Sequence, residues 1–211
     1  MRLSGGTSAR RVVAAPRGER TRPTSAKVRE ALFAVLGKRV QGARVLDLFA
    51  GSGALGLEAI SRGAASVVFV ESDAAAAMTV RRNAVAVIGD KERFRIMPIT
   101  ALRALRRLRG AFDIVLIDPP YDRGAREELV TLMQRSLVTP DGMVVVEHRS
   151  SEEVAFPASL RVLRSTKYGD TALTFASVVP GRDTAPQAEK VEAAREQPRA
   201  RQKSRRSGQT S

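Results

Sequence analysis

The sequence predicts an α/β fold: a doubly wound, mostly parallel sheet of seven strands, preceded by a small N-terminal extension. From residue 43 onward, apolar runs alternate with segments of helical periodicity, the order typical of consecutive βαβ units. The runs at 114–117 and 143–146 are apolar without interruption, which indicates a sheet covered on both faces. Both observations favour parallel strands with helices packed above and below them.

Each element has a signal of its own. Apolar residues spaced three and four apart predict a helix that begins at Pro23 and Thr24 and ends at Gly37. Two β-like runs with no helix between them, 160–163 and 171–178, predict a closing hairpin. The other expected strands lie at 43–49, 66–71, 93–97, 112–117 and 142–147, and the other expected helices lie near 54–62, 74–87, 100–108 and 124–137.

Charge divides the chain into three parts. The 211 residues carry a formal net charge of +14, of which residues 1–40 contribute +8 and residues 182–211 contribute +4, so residues 41–181 hold only +2. We therefore expect a basic arm and helix, a near-neutral sheet domain, and a disordered basic tail with few large apolar residues. Such arms suit a polyanion such as RNA. The candidate contacts are Arg10, Arg11, Arg22, Lys27 and Arg29.

Composition argues against several other classes of protein. The chain has no cysteine, which excludes disulfides and thiolate-bound metals, and its sequence offers no other cluster of metal ligands. No apolar run approaches the ~18 residues of a membrane span, and the N-terminus lacks the apolar stretch of a secretory signal. The expectation is a cytoplasmic, monomeric protein that contains no metal.

A glycine-rich turn follows the first expected strand, where Gly51, Gly53 and Gly56 precede a helical pattern. Glycine lets the backbone turn sharply and approach a ligand, and the helix start beyond it offers free N–H groups. Glu71 lies about 20 residues further on, where an acid that binds a ribose belongs. The glycines alone also fit a nicotinamide dinucleotide, but Asp47 is placed to reach the methionine end of S-adenosylmethionine.

The tetrapeptide Asp118-Pro119-Pro120-Tyr121 follows the strand expected at 112–117. The amino nitrogen of a nucleobase is a poor nucleophile, because its lone pair is delocalised into the ring. The Asp118 carboxylate and the Pro119 carbonyl, held by the rigid prolines, can accept its N–H groups and direct the lone pair towards a methyl donor. Tyr121 offers a ring on which an extruded base can stack, and positioning supplies most of the remaining catalysis. A dehydrogenase has no use for this motif, so the pair of motifs favours S-adenosylmethionine.

These motifs resemble those of the RsmD-type family of 16S rRNA guanine-N2 methyltransferases. The resemblance covers roughly residues 2–179. It is carried by Arg22-Pro-Thr24, Val28-Arg-Glu-Ala-Leu-Phe33, the stretch from Asp47 to Ala59, Glu71, and the stretch from Asp113 to Tyr121. The first two stretches distinguish this family from other amino-methyltransferases, because many of those share the glycine and Asp-Pro-Pro-Tyr motifs.

The resemblance implies a Rossmann-like, class I S-adenosylmethionine-dependent methyltransferase. Its target would be the exocyclic N2 amine of one guanine in small-subunit rRNA, within an assembled or assembling 30S particle. The catalytic residues would be Asp118, Pro119 and Tyr121. The cofactor contacts would be Asp47, Phe49, Gly51, Gly53, Glu71, Ser72, Thr100 and Asp118. Thr100 stands where the family often has Asp or Asn to meet the adenine amino group.

Two other functions stay open from the sequence. A DNA amino-methyltransferase acting on adenine or cytosine would use the same tetrapeptide, although residues 41–181 leave no room for a separate target-recognition domain. A non-catalytic RNA-binding assembly factor could keep the fold without the activity. Lys167, Tyr168 and Gly169 could border a base pocket, and His148, the one histidine, is assigned no role.

Overall fold

The computed structural model describes residues 2–9, 11–14, 26–120 and 124–180. The strands of this part are β1 (Arg44–Asp47), β2 (Ser66–Val70), β3 (Phe94–Met97), β4 (Phe112–Ile117), β5 (Val138–Arg149), β6 (Leu160–Tyr168) and β7 (Thr171–Val178). The helices are α1 (Ala26–Leu36), α2 (Ala54–Ser61), α3 (Ala74–Ile88), α4 (Ala101–Arg107) and α5 (Arg126–Gln134), with 3-10 turns at Gly37–Val40 and Lys91–Arg93.

The strands form one sheet in the order β3-β2-β1-β4-β5-β7-β6. Strands β1 to β5 run parallel, and β7 lies antiparallel between β5 and β6. The predicted doubly wound, mostly parallel sheet of seven strands is therefore confirmed, and so is the closing hairpin. Strand order reverses between β1 and β4, and ligands of such sheets bind beyond the carboxyl ends of the strands at that point.

Neighbouring residues of the central strands face two separate apolar layers. In β1, Val45 packs into a layer with residues of α1, α2 and α3, whereas Leu46 packs into a layer with residues of α4 and α5. Both side chains are fully buried. The uninterrupted apolar runs thus have the cause that the sequence indicated, because a strand between two helical layers needs an apolar residue on each face.

Strand β5 begins at Val138, earlier than the expected start at 142. Val138 pairs with Phe112, and the regular register resumes where Met143 pairs with Ile114, so the intervening residues form a bulge. Pro140 and Gly142 lie inside this bulge and read as turn residues in the sequence. Bulges and turns use the same residue types, so the residue types did not reveal that the strand continues through them.

The described part of the N-terminal arm is a hairpin packed on the sheet domain. Arg2 and Val12 form an antiparallel bridge, and the Leu3 N–H donates to the Arg11 carbonyl at 3.1 Å. Leu3 and Val13 are buried in the same apolar layer as α1, α2 and α3. The ranges given above for the arm, the sheet domain and the tail stay predictions, and the tail lies outside the described residues.

The prediction that Arg29 contacts RNA is wrong, because this side chain is buried. Its side chain is 1% exposed, its Nε lies 3.3 Å from Glu58 Oε2, and its Nη2 donates to the Arg2 carbonyl at 2.7 Å. The reason is helical spacing, because residue 29 shares its face of α1 with the buried residues 33 and 36. The guanidinium is therefore directed into the core, where a carboxylate from α2 meets it.

Glu58 joins three elements through its buried carboxylate. It accepts hydrogen bonds from the Ser4 N–H at 2.8 Å, the Ser4 hydroxyl at 2.9 Å and Arg62 Nε at 2.8 Å, in addition to the Arg29 contact. Burial raises the pKa of Glu58, but the hydrogen bonds from Ser4 and Arg62 outweigh burial and hold the pKa below its usual value. The ionised carboxylate thus ties the arm and α1 to α2.

We expect Arg29→Met to lower the free energy of unfolding by about 2 kcal/mol, the usual worth of hydrogen bonds to a charged group. Methionine removes the charge and keeps the bulk, while Arg62 and Ser4 still satisfy Glu58. Lys27→Met, at an exposed position two residues earlier, is the matched control and should change stability by less than about 0.5 kcal/mol. Urea unfolding measures both, and equal midpoints for the two variants would place Arg29 back on the surface.

Candidate functional site

Three carboxylates meet at one edge of the sheet. Asp47 ends β1, Glu71 follows β2, and Asp118 follows β4, and these three strands are neighbours with parallel direction. Parallel strands present their carboxyl ends at the same edge, so the sequence prediction that these acids converge is supported by the topology. Their proximity also has an electrostatic consequence, since the charges of Asp118 and Glu71 both raise the pKa of Asp47.

The glycine loop connects this edge to α2. Gly53 has φ 81°, a left-handed conformation that side chains rarely adopt, and it lies directly before the first residue of α2. A Cβ on Gly56 would overlap the Phe69 ring and Val67 of β2, so this glycine lets the helix lie close on the sheet. Gly51 differs, because a Cβ there would meet nothing within 4 Å and its backbone borders open space.

Asp47 is a buried acid at the base of this loop. It is 1% exposed, and its Oδ2 accepts the Gly56 N–H at 2.9 Å. Burial raises the pKa of Asp47 to about 7, against the lowering effect of the Gly56 N–H and with further raising by Asp118 and Glu71. A cationic group bound beside this carboxylate would stabilise its ionised form. The ammonium of a methionine moiety is such a group.

Glu71 fixes the glycine loop from β2. Its Oε2 accepts the Gly51 N–H at 2.8 Å, and its Oε1 accepts the Asp73 N–H at 2.8 Å. Each carboxylate oxygen has a second acceptor position, so these bonds leave capacity for the ribose hydroxyls that the sequence assigned to it. Sequence reasoning missed the contact between Glu71 and the glycine loop. The two residues lie 20 positions apart, and Gly51 takes part only through its backbone N–H, which any residue type would offer.

The other predicted cofactor residues, Phe49, Ser72 and Thr100, lie in the segments that follow β1, β2 and β3. Phe49 is half-buried and packs against the layer that contains α4 and α5. Ser72 is exposed ahead of Asp73, which caps α3 by accepting the Ala76 N–H at 2.7 Å. Thr100 is exposed at the start of α4, and its side chain makes no capping hydrogen bond. Their cofactor roles remain predictions.

The arrangement fits S-adenosylmethionine. A buried carboxylate at β1, a glycine backbone that borders open space, and a second carboxylate at β2 are groups that can hold an ammonium, a carboxylate and a pair of ribose hydroxyls. Among the described residues, no group of three or more His, Cys, Asp or Glu side chains is placed to hold a metal ion. The helices of the same residues include none long and apolar enough to cross a bilayer.

A cavity of about 250 Å³ adjoins the Asp118 motif. Its walls include Pro119 and Pro120, the start of α5, the end of β5 and the segment 152–155. This volume is below the roughly 300–1,000 Å³ of pockets that hold drug-sized ligands, so it suits a smaller group such as a nucleobase. Pro119 is buried and lines the cavity, and Asp118, the residue before it, is half-buried, whereas Tyr121 lies outside the described residues.

Glu147 is a further candidate residue of the functional site, which sequence reasoning missed. It lies in β5 immediately after Val146, which pairs with Ile117, so Glu147 and Asp118 occupy equivalent places on neighbouring strands. Glu147 is 4% exposed and lines the cavity. The signal was available, because an acid directly after an apolar run also marks Asp47 and Asp118.

His148 links the end of β5 to β7 through its imidazole ring. Its Nδ1 lies 2.9 Å from the Arg149 carbonyl and its Nε2 lies 2.9 Å from Thr174 Oγ1, so both ring nitrogens have partners. Lys167, Tyr168 and Gly169 lie at the same edge of the sheet as the carboxylates, because β6 runs in the direction of β5. Between them and β4 lie β5 and β7, so their contact with a base stays a prediction.

The predicted RNA contacts divide into three groups. Lys27 and Arg11 are exposed, and Arg11 Nη1 also donates to the Ala86 carbonyl of α3 at 2.6 Å. Arg29 is buried, as described above. Arg10 and Arg22 lie outside the described residues.

Comparison with known proteins gives a consistent family. The family model described as Conserved hypothetical protein 95 matches residues 1–177. The chain is 35% identical over 181 residues to YlbH of Bacillus subtilis, which is provisionally named an rRNA methyltransferase; the match covers 84% of this chain and 97% of YlbH. It is 34% identical over 148 residues to ribosomal RNA small subunit methyltransferase D of Escherichia coli, covering 70% and 74% of the two chains.

A solved structure agrees. The Escherichia coli protein yhhF, provisionally described as a methyltransferase, matches with a TM-score of 0.76 and 32% identity, over 84% of this chain and 97% of yhhF. The family model spans residues 1–177 and therefore includes Asp47, Glu71 and Asp118. The similarity is thus not confined to the glycine loop that many nucleotide-binding folds share.

Proposed function

Since the chain belongs to the RsmD-type family of ribosomal RNA small-subunit methyltransferases, we propose that it methylates the exocyclic N2 amine of a guanine in 16S rRNA. It is a methyltransferase, and its cofactor is S-adenosylmethionine. The observation that supports the proposal is that Asp118 and Pro119 directly follow β4, the strand that pairs with β1, which ends at Asp47 before the glycine loop. An acceptor pair for an amino group thus adjoins the cofactor residues.

The chemistry assigned to the chain is that of two hydrogen-bond acceptors. When bound, the cofactor supplies an activated methyl group on a sulfonium. The Asp118 carboxylate and the Pro119 carbonyl would accept hydrogen bonds from the two N–H groups of the guanine amine and draw these hydrogens out of the ring plane, so that the nitrogen lone pair is no longer delocalised into the ring. Asp118 would also stabilise the positive charge that develops on this nitrogen and accept the proton that the nitrogen loses when the neutral methylated amine forms. The buried Pro119 fixes its carbonyl, because its ring restricts the backbone.

The base would enter the cavity beside Pro119 and Pro120 after it leaves its stack. Tyr121 is proposed to stack on it, and the apolar wall formed by Val146 and Val154 would exclude water from the amine. Single-stranded or looped RNA meets this requirement at the lowest energetic cost, because its bases are already partly unstacked. This supports folded RNA over a uniform DNA duplex.

The RNA backbone would lie along basic side chains outside the cavity. Arg11 and Lys27 are exposed, and Arg10 and Arg22 belong to the same basic arm of the sequence. The structure adds Arg161, Arg164 and Lys167 of β6, all exposed on a strand that ends at the same edge of the sheet as the site. Phosphate contacts of this kind position the RNA without reading its sequence. A 30S particle as substrate, a monomeric enzyme and a cytoplasmic location complete the proposal.

The test is transfer of radiolabelled methyl groups from S-adenosylmethionine. The purified protein is offered small ribosomal subunits that lack the modification, naked 16S rRNA and duplex DNA in parallel, and the labelled nucleoside is identified. We expect N2-methylguanosine from the subunits. Label in adenine or cytosine of DNA would replace the proposal with a DNA amino-methyltransferase, and absence of label with all three substrates would favour a non-catalytic assembly factor.

A further inference from the structure

Asn83 makes three hydrogen bonds from a buried position inside α3. Its side chain is 4% exposed. Its Oδ1 accepts the Ala14 N–H at 3.1 Å, and its Nδ2 donates to the Ala14 carbonyl at 3.0 Å and to the Ser52 carbonyl at 2.9 Å. The amide therefore pairs with both backbone groups of one residue, as a strand would, and keeps its last donor for a second segment.

The two segments belong to the two binding functions of the protein. Ser52 lies in the glycine loop between Gly51 and Gly53, beside the cofactor residues. Ala14 is the last described residue of the arm hairpin, which also carries the exposed Arg11 that the sequence assigned to RNA. One planar amide thus connects the glycine loop to the arm hairpin.

The geometry makes this connection stiff. The glycine loop is held at Gly51 by Glu71 and at Ser52 by Asn83, and α3, which carries Asn83, begins at the Asp73 cap next to Glu71. Movement of the loop relative to α3 must stretch the bond from Asn83 to Ser52 or rotate the amide. Rotation of the amide would break its paired bonds to Ala14, since both depend on the same plane.

We propose that Asn83 is a positioning residue that couples cofactor binding to RNA binding, each ligand ordering the segment that the other needs. The RNA half of this coupling rests on the proposed function. A ligand that fixes the loop also fixes the amide and the Ala14 backbone that pairs with it, so RNA binding beside Ala14 has less ordering left to do. By thermodynamic linkage the RNA strengthens cofactor binding by the same factor.

The first experiment follows backbone amide exchange in the full-length protein, with and without S-adenosylhomocysteine as the probe. We expect the probe to slow exchange of the Ala14 amide at least about 5-fold, the lower end of typical coupling. The Ser8 amide is the internal reference, because it bonds Ser61 Oγ at 2.9 Å and has no link to Ser52. An Ala14 amide that exchanges equally fast with and without bound probe in the unmodified protein would overturn the coupling, and this result needs neither RNA nor a variant.

Two variants then separate coupling from general loosening of the arm. Asn83→Ala removes the link to Ser52 together with the Ala14 anchor, whereas Ser61→Ala removes a buried anchor of Gly5 and Ser8 and leaves Ser52 held. The reporter in the variants is the Leu3 amide, which bonds the Arg11 carbonyl of the same hairpin and therefore keeps its acceptor when Asn83 is replaced. We expect the probe to protect Leu3 in Ser61→Ala and not in Asn83→Ala. Equal protection in both variants, each shown to be folded by its thermal transition, would assign Asn83 a structural role only.

The last measurement is the affinity for unmethylated small subunits with and without S-adenosylhomocysteine. We expect the probe to tighten binding at least about 5-fold in the unmodified protein and in Ser61→Ala, and to have little effect in Asn83→Ala. If the protein methylates subunits but its subunit affinity ignores the probe, the coupling fails and the proposed function stands. If it neither binds nor methylates subunits while Ala14 is protected, the proposed function fails and the link between the loop and the arm remains.

Discussion

The Asp118→Ala variant is expected to lose about 100- to 1,000-fold in the rate of methyl transfer, the range seen when one preorganised electrostatic contact of a transition state is removed. The amine becomes nucleophilic only when its N–H bonds are held, and alanine offers no acceptor. Pro119 would still hold one N–H, which leaves a residual rate. Single-turnover transfer to unmethylated small subunits measures the effect directly.

Cofactor binding should survive this change, because the proposed ammonium and ribose contacts belong to Asp47 and Glu71. One indirect effect is expected. The charge of Asp118 raises the pKa of Asp47, so its removal should lower that pKa and shift the pH dependence of cofactor binding towards acid. Calorimetric titration with S-adenosylhomocysteine at several pH values would detect the shift, while the affinity at pH 8 stays close to that of the unmodified protein.

A matched control lies at the opposite end of the same strand. Asp113 accepts the Arg44 N–H at 2.8 Å and the Thr139 hydroxyl at 3.3 Å, far from the carboxyl edge. Asp113→Asn should therefore affect stability and leave the rate constant of transfer intact. A normal transfer rate in Asp118→Ala, or an equal loss in both variants, would show that the acceptor mechanism is wrong.

The site was predictable from the sequence to the extent that sheet topology determines it. Acids that follow apolar runs converge in a parallel sheet, so Asp47, Glu71 and Asp118 could be assembled without coordinates. Glu147 obeys the same rule on the fifth strand, where it follows the apolar run 143–146. The location of such residues at one edge of the sheet follows from the parallel direction of the strands. The alternation of strand and helix patterns along the sequence predicts that direction.

Arg29 and Asn83 depend on tertiary contacts that periodicity does not reveal. A basic residue beside an apolar helical face is usually exposed, and Arg29 is buried only because Glu58 of α2 provides a carboxylate at that depth. Asn83 likewise occupies the buried face of α3 because two backbone segments, at Ala14 and Ser52, supply its partners. Buried polar residues need such hydrogen-bond partners. Partners that are distant in the sequence cannot be identified from the sequence pattern of one chain.

The contribution of Asp47 to the free energy of unfolding should fall by about 4 kcal/mol as the pH rises from about 4 to about 7. The sign follows from linkage. Burial raises the pKa of Asp47 from 3.8 to about 7, so in this interval the folded state holds a proton that the unfolded state has released. Below pH 4 both states are protonated and above pH 7 both are ionised, so the contribution is constant outside the interval.

Asp47→Asn isolates this contribution from other titrating groups. Asparagine resembles the protonated acid, and its oxygen can still accept the Gly56 N–H. The variant should therefore match the unmodified protein near pH 4 and exceed its stability increasingly up to pH 7. Glu58 acts in the opposite sense, since its lowered pKa makes stability fall as the pH drops, but it is present in both proteins and cancels. Parallel curves of unfolding free energy against pH would mean that Asp47 ionises normally.

The same titration should control cofactor affinity if Asp47 meets the methionine ammonium. An ionised carboxylate is required for that contact, so below pH 7 the dissociation constant of S-adenosylhomocysteine should rise by up to ~10-fold per pH unit, and binding should release a proton. Asp47→Asn should bind more weakly and without this slope. The two measurements test different things, because the stability curve reports burial alone, whereas the affinity slope requires the contact. A stability effect without an affinity slope would restrict Asp47 to holding the start of α2 through Gly56, and the ammonium would then need another partner at the same edge of the sheet.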